Sequence, residues 1–169
     1  MPTPTYDLIA SNVLTSAASS VTFSSIPATY RDLVLVCGNL LNTNPENSNV
    51  VIRLNGDTGS NYTTLKASGD GTNTDSRSVS TTFFYTDLDI PFGNTAAQQG
   101  LSIVQFMDYS ATDKHKTILS RANVANRGVG MYAGRWANTA AITSVQALIE
   151  ASAGQFAIGS SFHLYGIVS

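Results

Sequence analysis

Between Val50 and Tyr62 the chain reads VVIRLNGDTGSNY, and this stretch decides the fold class. It starts with three β-branched residues, VVI, which favour an extended strand. Asn55-Gly56 follows, a pair that tolerates the positive φ angles of a tight reversal. Polar turn formers then continue until Tyr62, where an extended run can resume. The stretch therefore predicts a strand, an elaborated turn and a second strand, and by itself it indicates no chemistry.

Short apolar or β-branched runs between Gly, Asn and Ser turns recur along all 169 residues. Arg31 to Gly38 is the most apolar early run and predicts a central strand. We predict loops at Leu65 to Arg77 and at Asn42 to Asn49, because both segments are polar. For Leu65 to Arg77 the alternative is a very irregular edge of a sheet. Val145 to Ala153 has some helical potential, but its β-branched residues favour a strand. We expect an all-β, single-domain, jelly-roll-like β-sandwich of about nine or ten short strands.

The predicted domain spans residues 1–169, with the proline-bearing residues Met1 to Thr5 as an N-terminal arm. Charged residues make up only 12% of the chain and the formal net charge is −2, which argues against a nucleic-acid binder. No signal peptide or run of about 18 apolar residues is found, so we expect no membrane partner and synthesis in the cytoplasm of the producing cell.

Cys37 is the one cysteine, so no intrachain disulfide can form, and its apolar strand LVLVCGN predicts a buried thiol. His163 alternates within a strand and is expected to be packed or hydrogen-bonded, whereas His115 lies between two lysines in a solvated turn. Two histidines and one cysteine provide no recognisable zinc spacing. We therefore predict no metal ion and no cofactor.

Two acidic segments have alternative interpretations. Asp87 and Asp89 would share one face of a strand and could serve as paired acid and base, although a solvated strand end is the simpler interpretation. Asp70 to Asp75 (DGTNTD) offers oxygen ligands at alternate positions, as calcium loops do, but lacks the glutamate and spacing of an EF-hand. We predict no catalytic residue.

The segment Gly128 to Trp136 carries the candidate contact residues. Val129, Met131 and Ala133 alternate with Tyr132 and Trp136, so the two sets occupy opposite faces of a strand. Tyr132, Arg135 and Trp136 could form an interface anchor or an aromatic platform for sugar, since these residue types are enriched in binding hot spots. The alternative for Trp136 is a place in the core.

Three segments together resemble a family of structural proteins from tailed bacteriophages, common among cyanophages. The first is YDLIA (Tyr6 to Ala10) with VTFSSIPATYRDLVL (Val21 to Leu35). The second is IRLNGDTGSNY (Ile52 to Tyr62), with Leu54 where the family often has Phe, and the third is SFHLYGI (Ser161 to Ile167). Their order and spacing span nearly the whole chain, but the middle, Leu65 to Trp136, does not align.

This resemblance implies a virion protein with a β-sandwich or jelly-roll fold, which either decorates the capsid or forms part of a tail or fibre. We expect a non-enzymatic capsid decoration (cement) protein, a homotrimer, bound to the major capsid protein on the outer surface of the head. The arm Met1 to Thr5 and the loops Asn42 to Asn49 and Leu65 to Arg77 are expected to make the contacts. The alternative is a tail- or fibre-associated receptor-binding or carbohydrate-binding module, whose partner would be a host surface glycan. A small glycan-active enzyme would rest on Asp87 and Asp89 alone.

Overall fold

The computed structural model describes residues 4–39, 41–43, 49–87, 99–151 and 153–168. Within these residues the regular structure is all β, in fourteen strands, which is more than the nine or ten expected. The strands are β1 (Tyr6–Val13), β2 (Ser20–Phe23), β3 (Asp32–Asn39), β4 (Leu41–Thr43), β5 (Val50–Leu54), β6 (Tyr62–Gly69), β7 (Thr74–Thr81), β8 (Phe84–Tyr85), β9 (Gly100–Met107), β10 (Lys116–Val124), β11 (Gly128–Trp136), β12 (Val145–Ile149), β13 (Gln155–Phe156) and β14 (Ser161–Ile167). This part of the chain holds no helix that could cross a bilayer.

The strands form two main antiparallel sheets that enclose one core, so the predicted β-sandwich is confirmed. The large sheet has eight strands in the order β1-β14-β3-β9-β10-β11-β6-β7. The small sheet has four in the order β2-β12-β5-β8, and β13 pairs with β4 separately. Few neighbours in either sheet follow each other in sequence, because the chain repeatedly crosses between sheets, as it does in jelly rolls.

Strict alternation along the central strands of the large sheet decides which side chains enter the core. In β9, Val104 and Phe106 point inward and are fully buried. Gln105, which lies between them, and Leu101, nearer the start of the strand, are exposed. The small sheet supplies the opposite wall through β5, whose β-branched start is fully buried. The period-2 pattern therefore builds a core between the sheets and leaves a second, outward face on the large sheet.

The Asn55-Gly56 turn links the two sheets. Both residues have positive φ, 51° and 68°, and the backbone N–H of Asp57 donates to the carbonyl of Leu54 at 2.9 Å. These angles are those of a type I′ turn, so the predicted tight reversal is confirmed. The chain leaves β5 in the small sheet here and enters β6 in the large one.

The loop predicted for Leu65 to Arg77 is wrong, and the alternative of a sheet edge is confirmed for its second half, although this edge is regular. This segment continues β6, turns at Asp70–Asn73 and returns as β7, the edge strand of the large sheet. The strand β7 is mostly solvent-exposed. Its Ser, Thr and Asp residues therefore suit an exposed edge as well as they suit a loop. The strands expected at Arg31 to Gly38 and within Val145 to Ala153 are confirmed as β3 and β12. The other predicted loop, Asn42 to Asn49, is wrong at residues 42–43, which belong to β4. Its residues 44–48, and residues 1–3 of the arm, lie outside the described residues.

Candidate interaction site

Two of the three predicted contact residues lie in the core. Tyr132 and Trp136 point inward from β11 and are each only 1% exposed, so their rings cannot form a surface platform. The core alternative for Trp136 is therefore the one the structure supports. Arg135 alternates with them and is exposed on the outward face of the large sheet. The three side chains are thus divided between opposite faces.

Trp136 has a structural role at the end of the core. Its indole ring stacks on Tyr62, with centroids 6.3 Å apart and planes 20° apart. The indole N–H donates to Oδ2 of Asp57 at 2.6 Å, and Asp57 also accepts bonds from Gly59 and Asn61. Desolvation opposes ionisation of Asp57, but the bonds from Trp136, Asn61 and Gly59 outweigh it and hold the pKa of this carboxyl below its usual value. The carboxylate thus secures the loop after β5 to the end of β11.

The candidate acidic residues make structural contacts. Asp87 is buried, and its Oδ1 accepts the backbone N–H of Val50 at 2.8 Å; Asp89 lies outside the described residues. Asp70 accepts the backbone N–H groups of Thr72 and Asn73 in the β6–β7 turn, and these bonds lower its pKa to about 2. Among the described residues no three His, Cys, Asp or Glu side chains cluster as metal ligands would.

The cysteine and histidine predictions are confirmed. Cys37 is fully buried, and desolvation raises the pKa of its thiol to about 12. His163 is half-buried on β14, and its Nδ1 lies 2.9 Å from the hydroxyl of Ser11. His115 is exposed in the turn before β10. None of the three is placed for nucleophilic or metal chemistry with the others.

An aliphatic surface lies instead on the outward side of the large sheet, across β9, β10, β11 and β6. We call it the apolar face. Its members are Leu65, Ala67, Leu101, Ile103, Leu119, Val129, Met131 and Ala133. Met131 is 71% exposed, Val129 62% and Leu65 53%, and the informative feature is that these exposed side chains share one face.

Strand register makes these residues contiguous. Met131 lies opposite Arg121 on β10 and Ala67 on β6, and Arg121 in turn lies opposite Ile103 on β9. With strands about 4.8 Å apart, the four strands present a patch about 14 Å across. The part of the patch around Val129 and Met131 lines an open groove of about 970 Å³, bordered by the polar β6–β7 hairpin. The part around Leu65 and Leu119 lines a second groove of about 540 Å³. Exposed apolar surface that is contiguous and has a polar rim marks an interaction site.

The apolar face is positively charged. Arg121 projects from its centre and Arg135 from its border, whereas β6, β9, β10 and β11 contain no Asp or Glu at all. Asp75, at the groove rim, is bound by the buried Lys66, whose Nζ lies 2.5 Å from its Oδ2. The acidic residues that give the chain its net charge of −2 therefore lie elsewhere.

The sequence carries a signal for this face. Val129, Met131 and Ala133 share one side of β11, and the aromatic residues of the predicted contact surface, Tyr132 and Trp136, occupy the other. Both sides of β11 are apolar, so its alternation alone does not say which side is exposed. The larger rings fill the core and the aliphatic side remains outside.

No family model matches the chain, and no curated protein matches it in sequence. Among solved structures, sheep galectin-11 in complex with glycerol is similar over 95% of this chain and 97% of its own, with 12% identity and a TM-score of 0.31. A mutant of the alginate lyase Aly36B in complex with alginate tetrasaccharide is similar over 82% of this chain and 68% of its own, with 10% identity and a TM-score of 0.34. Likenesses this weak carry no ligand or activity over to the present chain.

Proposed function

We propose that this protein is a non-enzymatic capsid decoration (cement) protein, which binds the outer surface of a phage head through the apolar face. The observation that carries the docking surface is the exposed, contiguous aliphatic patch around Met131 on the large sheet. The resemblance of three segments to tailed-phage structural proteins supports the virion location. The partner is then the major capsid protein, and the site of action is the capsid surface.

Burial of the apolar face explains how such a protein would stabilise a head. Removing apolar side chains from water contributes roughly 25 cal/mol per Å². A protein that binds only the assembled shell adds its binding free energy to the stability of that shell. The proposed assembly is a homotrimer, since closed symmetry suits a protein that sits on a symmetry axis of the capsid.

A carbohydrate-binding tail module is not favoured over this proposal. An aromatic platform for sugar would need the rings of Tyr132 and Trp136 at the surface, but both rings are buried. The surface that is exposed is aliphatic, and aliphatic side chains offer sugars no ring for stacking. Protein surfaces, in contrast, pack well against Leu, Val and Met side chains.

The direct test is binding to heads of the phage that encodes this chain, assembled without the protein. Wild-type protein should co-sediment with these heads and restore regularly placed density in cryo-electron maps. Met131→Glu should abolish the binding, because it places a charge in the centre of the apolar face. Ile158→Glu is the matched control, since Ile158 is 67% exposed but lies in the turn before β14, outside the apolar face.

Three outcomes separate the alternatives. Loss of binding with Met131→Glu alone supports the proposal. Equal binding by both variants would reject the apolar face as the docking surface. If wild-type protein leaves the heads bare and density is missing from the tail of virions that lack it, the decoration function is wrong.

A further inference from the structure

The centre of the apolar face holds a guanidinium that no described residue neutralises. Arg121 is exposed on β10 between Ile103 and Met131 on the neighbouring strands, with Leu119 two residues before it. It makes no ion pair or side-chain hydrogen bond with any residue in the described part of the chain. The aliphatic side chains around it provide no hydrogen-bond acceptor for the guanidinium N–H groups.

We propose that the apolar face recognises an extended protein segment in which one Asp or Glu is flanked by apolar residues, with that carboxylate bound by Arg121. The inference rests on the proposed function in taking this face as the docking surface, and it adds the chemistry of the partner. Guanidinium and carboxylate form bidentate, charge-assisted hydrogen bonds, and these strengthen where apolar contacts exclude water. Apolar flanks on the segment would pack on Met131, Ile103 and Leu119.

Charge complementarity favours an acidic partner over a second copy of this chain. The four strands that build the face contribute Arg121 and Arg135 to the outward side and no carboxylate. A two-fold contact between two such faces would enclose arginines from both copies and no carboxylate from these strands, so the guanidinium groups would lack a counter-charge. A negatively charged partner would be attracted to this side of a chain that is acidic overall.

The size of the face favours a segment. The patch is about 14 Å across the strands and about 13 Å along them, which matches a single extended run of about five residues. A standard protein interface buries about 800 Å² on each partner, several times what this patch offers. The face therefore fits one strand or arm of a partner.

The test is selection of peptides from a random displayed library on the purified full-length protein. We expect the enriched peptides to contain one Asp or Glu between apolar residues. Replacing that residue by Asn or Gln in the best peptide should weaken binding about ten-fold or more, as loss of a charged hydrogen-bonding group does. Arg121→Gln should lose the same preference, whereas Arg31→Gln, which removes an exposed guanidinium distant in sequence, should retain it.

Nuclear magnetic resonance of the labelled protein locates the contact. The best peptide should shift the Arg121 side-chain Nε–H and the Met131 methyl signals together. Enriched peptides without an acidic residue, or equal binding by Arg121→Gln, would overturn the inference. So would failure to enrich any peptide, or octanoate alone shifting these two signals, which would make the face an acyl site.

The outcomes also separate the inference from the proposed function. Acidic peptides that bind at Arg121, combined with heads that stay bare, would leave the inference standing and reject the capsid as the partner. Heads that bind wild type and Arg121→Gln equally, but reject Met131→Glu, would leave the decoration function standing without carboxylate recognition.

Discussion

The indole N–H of Trp136 donates a 2.6 Å hydrogen bond to Oδ2 of Asp57, 79 residues earlier in the chain. One residue belongs to the last position of β11 and the other to the turn after β5, so the bond joins the large sheet to the crossover from the small one. Trp136 is almost completely buried, and its single donor needs a partner there.

Asp57→Ala should destabilise the protein by about 1–3 kcal/mol, because the buried indole N–H loses its acceptor. Thr58→Ala is the control in the same loop, since Thr58 is exposed, and it should change the free energy of unfolding by less than about 0.5 kcal/mol. Urea denaturation followed by Trp136 fluorescence measures both. Equal stability of the two variants would show that water replaces the carboxylate.

The contribution of Asp57 should also depend on pH. The folded-state pKa of this carboxyl is lowered, so its contribution is present above the unfolded-state value of about 3.9 and is lost as the pH falls through the folded value. The difference in unfolding free energy between wild type and Asp57→Asn should therefore be constant near neutral pH and shrink in acid. A difference that grows on acidification would contradict the assigned direction of the pKa shift.

Tyr62→Phe should destabilise the protein by about 1–3 kcal/mol, since the Tyr62 hydroxyl accepts the backbone N–H of Leu54 at 3.0 Å. Burial raises the pKa of Tyr62 to about 12, so the neutral phenol is favoured in the folded state. Its contribution is complete below the unfolded pKa of about 10 and is lost as the pH rises toward 12. Unfolding free energies of both proteins over this range should converge; parallel curves would refute the shift.

Gly134→Ala should cost about 1–3 kcal/mol through overpacking. A Cβ at this position of β11 would lie 2.3 Å from the Phe84 ring and 2.7 Å from the backbone oxygen of Thr63, and the latter cannot rotate away. Gly38→Ala is the matched control, because its new Cβ would meet only the Ser161 hydroxyl, at 3.1 Å. Thermal melting of both variants should show the larger loss for Gly134→Ala, and the reverse order would contradict this packing.

Cys37 should not react with a maleimide while the protein is folded, since its thiol is fully buried and its pKa is raised to about 12. It should react completely in urea. The Ser60→Cys variant provides an exposed thiol for comparison, and it should take up one maleimide in the folded state. Mass spectrometry counts the adducts, and a folded wild-type protein that is labelled as fast as Ser60→Cys would place Cys37 at the surface.

The sequence by itself determined the local features. The Asn55-Gly56 pair specifies a type I′ turn because both positions need positive φ. The apolar run around Cys37 specifies a buried central strand, β3. These features depend on neighbouring residues, so no tertiary information is needed to predict them.

Only the tertiary structure decided what pairs with what. The polar segment Leu65 to Arg77 becomes a β-hairpin because β6 pairs with β11, a strand that comes much later in the sequence. Both faces of β11 are apolar, and the register with β10 and β6 turns Tyr132 and Trp136 inward and Met131 outward. Long-range strand pairing therefore converts the predicted aromatic platform into core, and it exposes the aliphatic residues around Arg121.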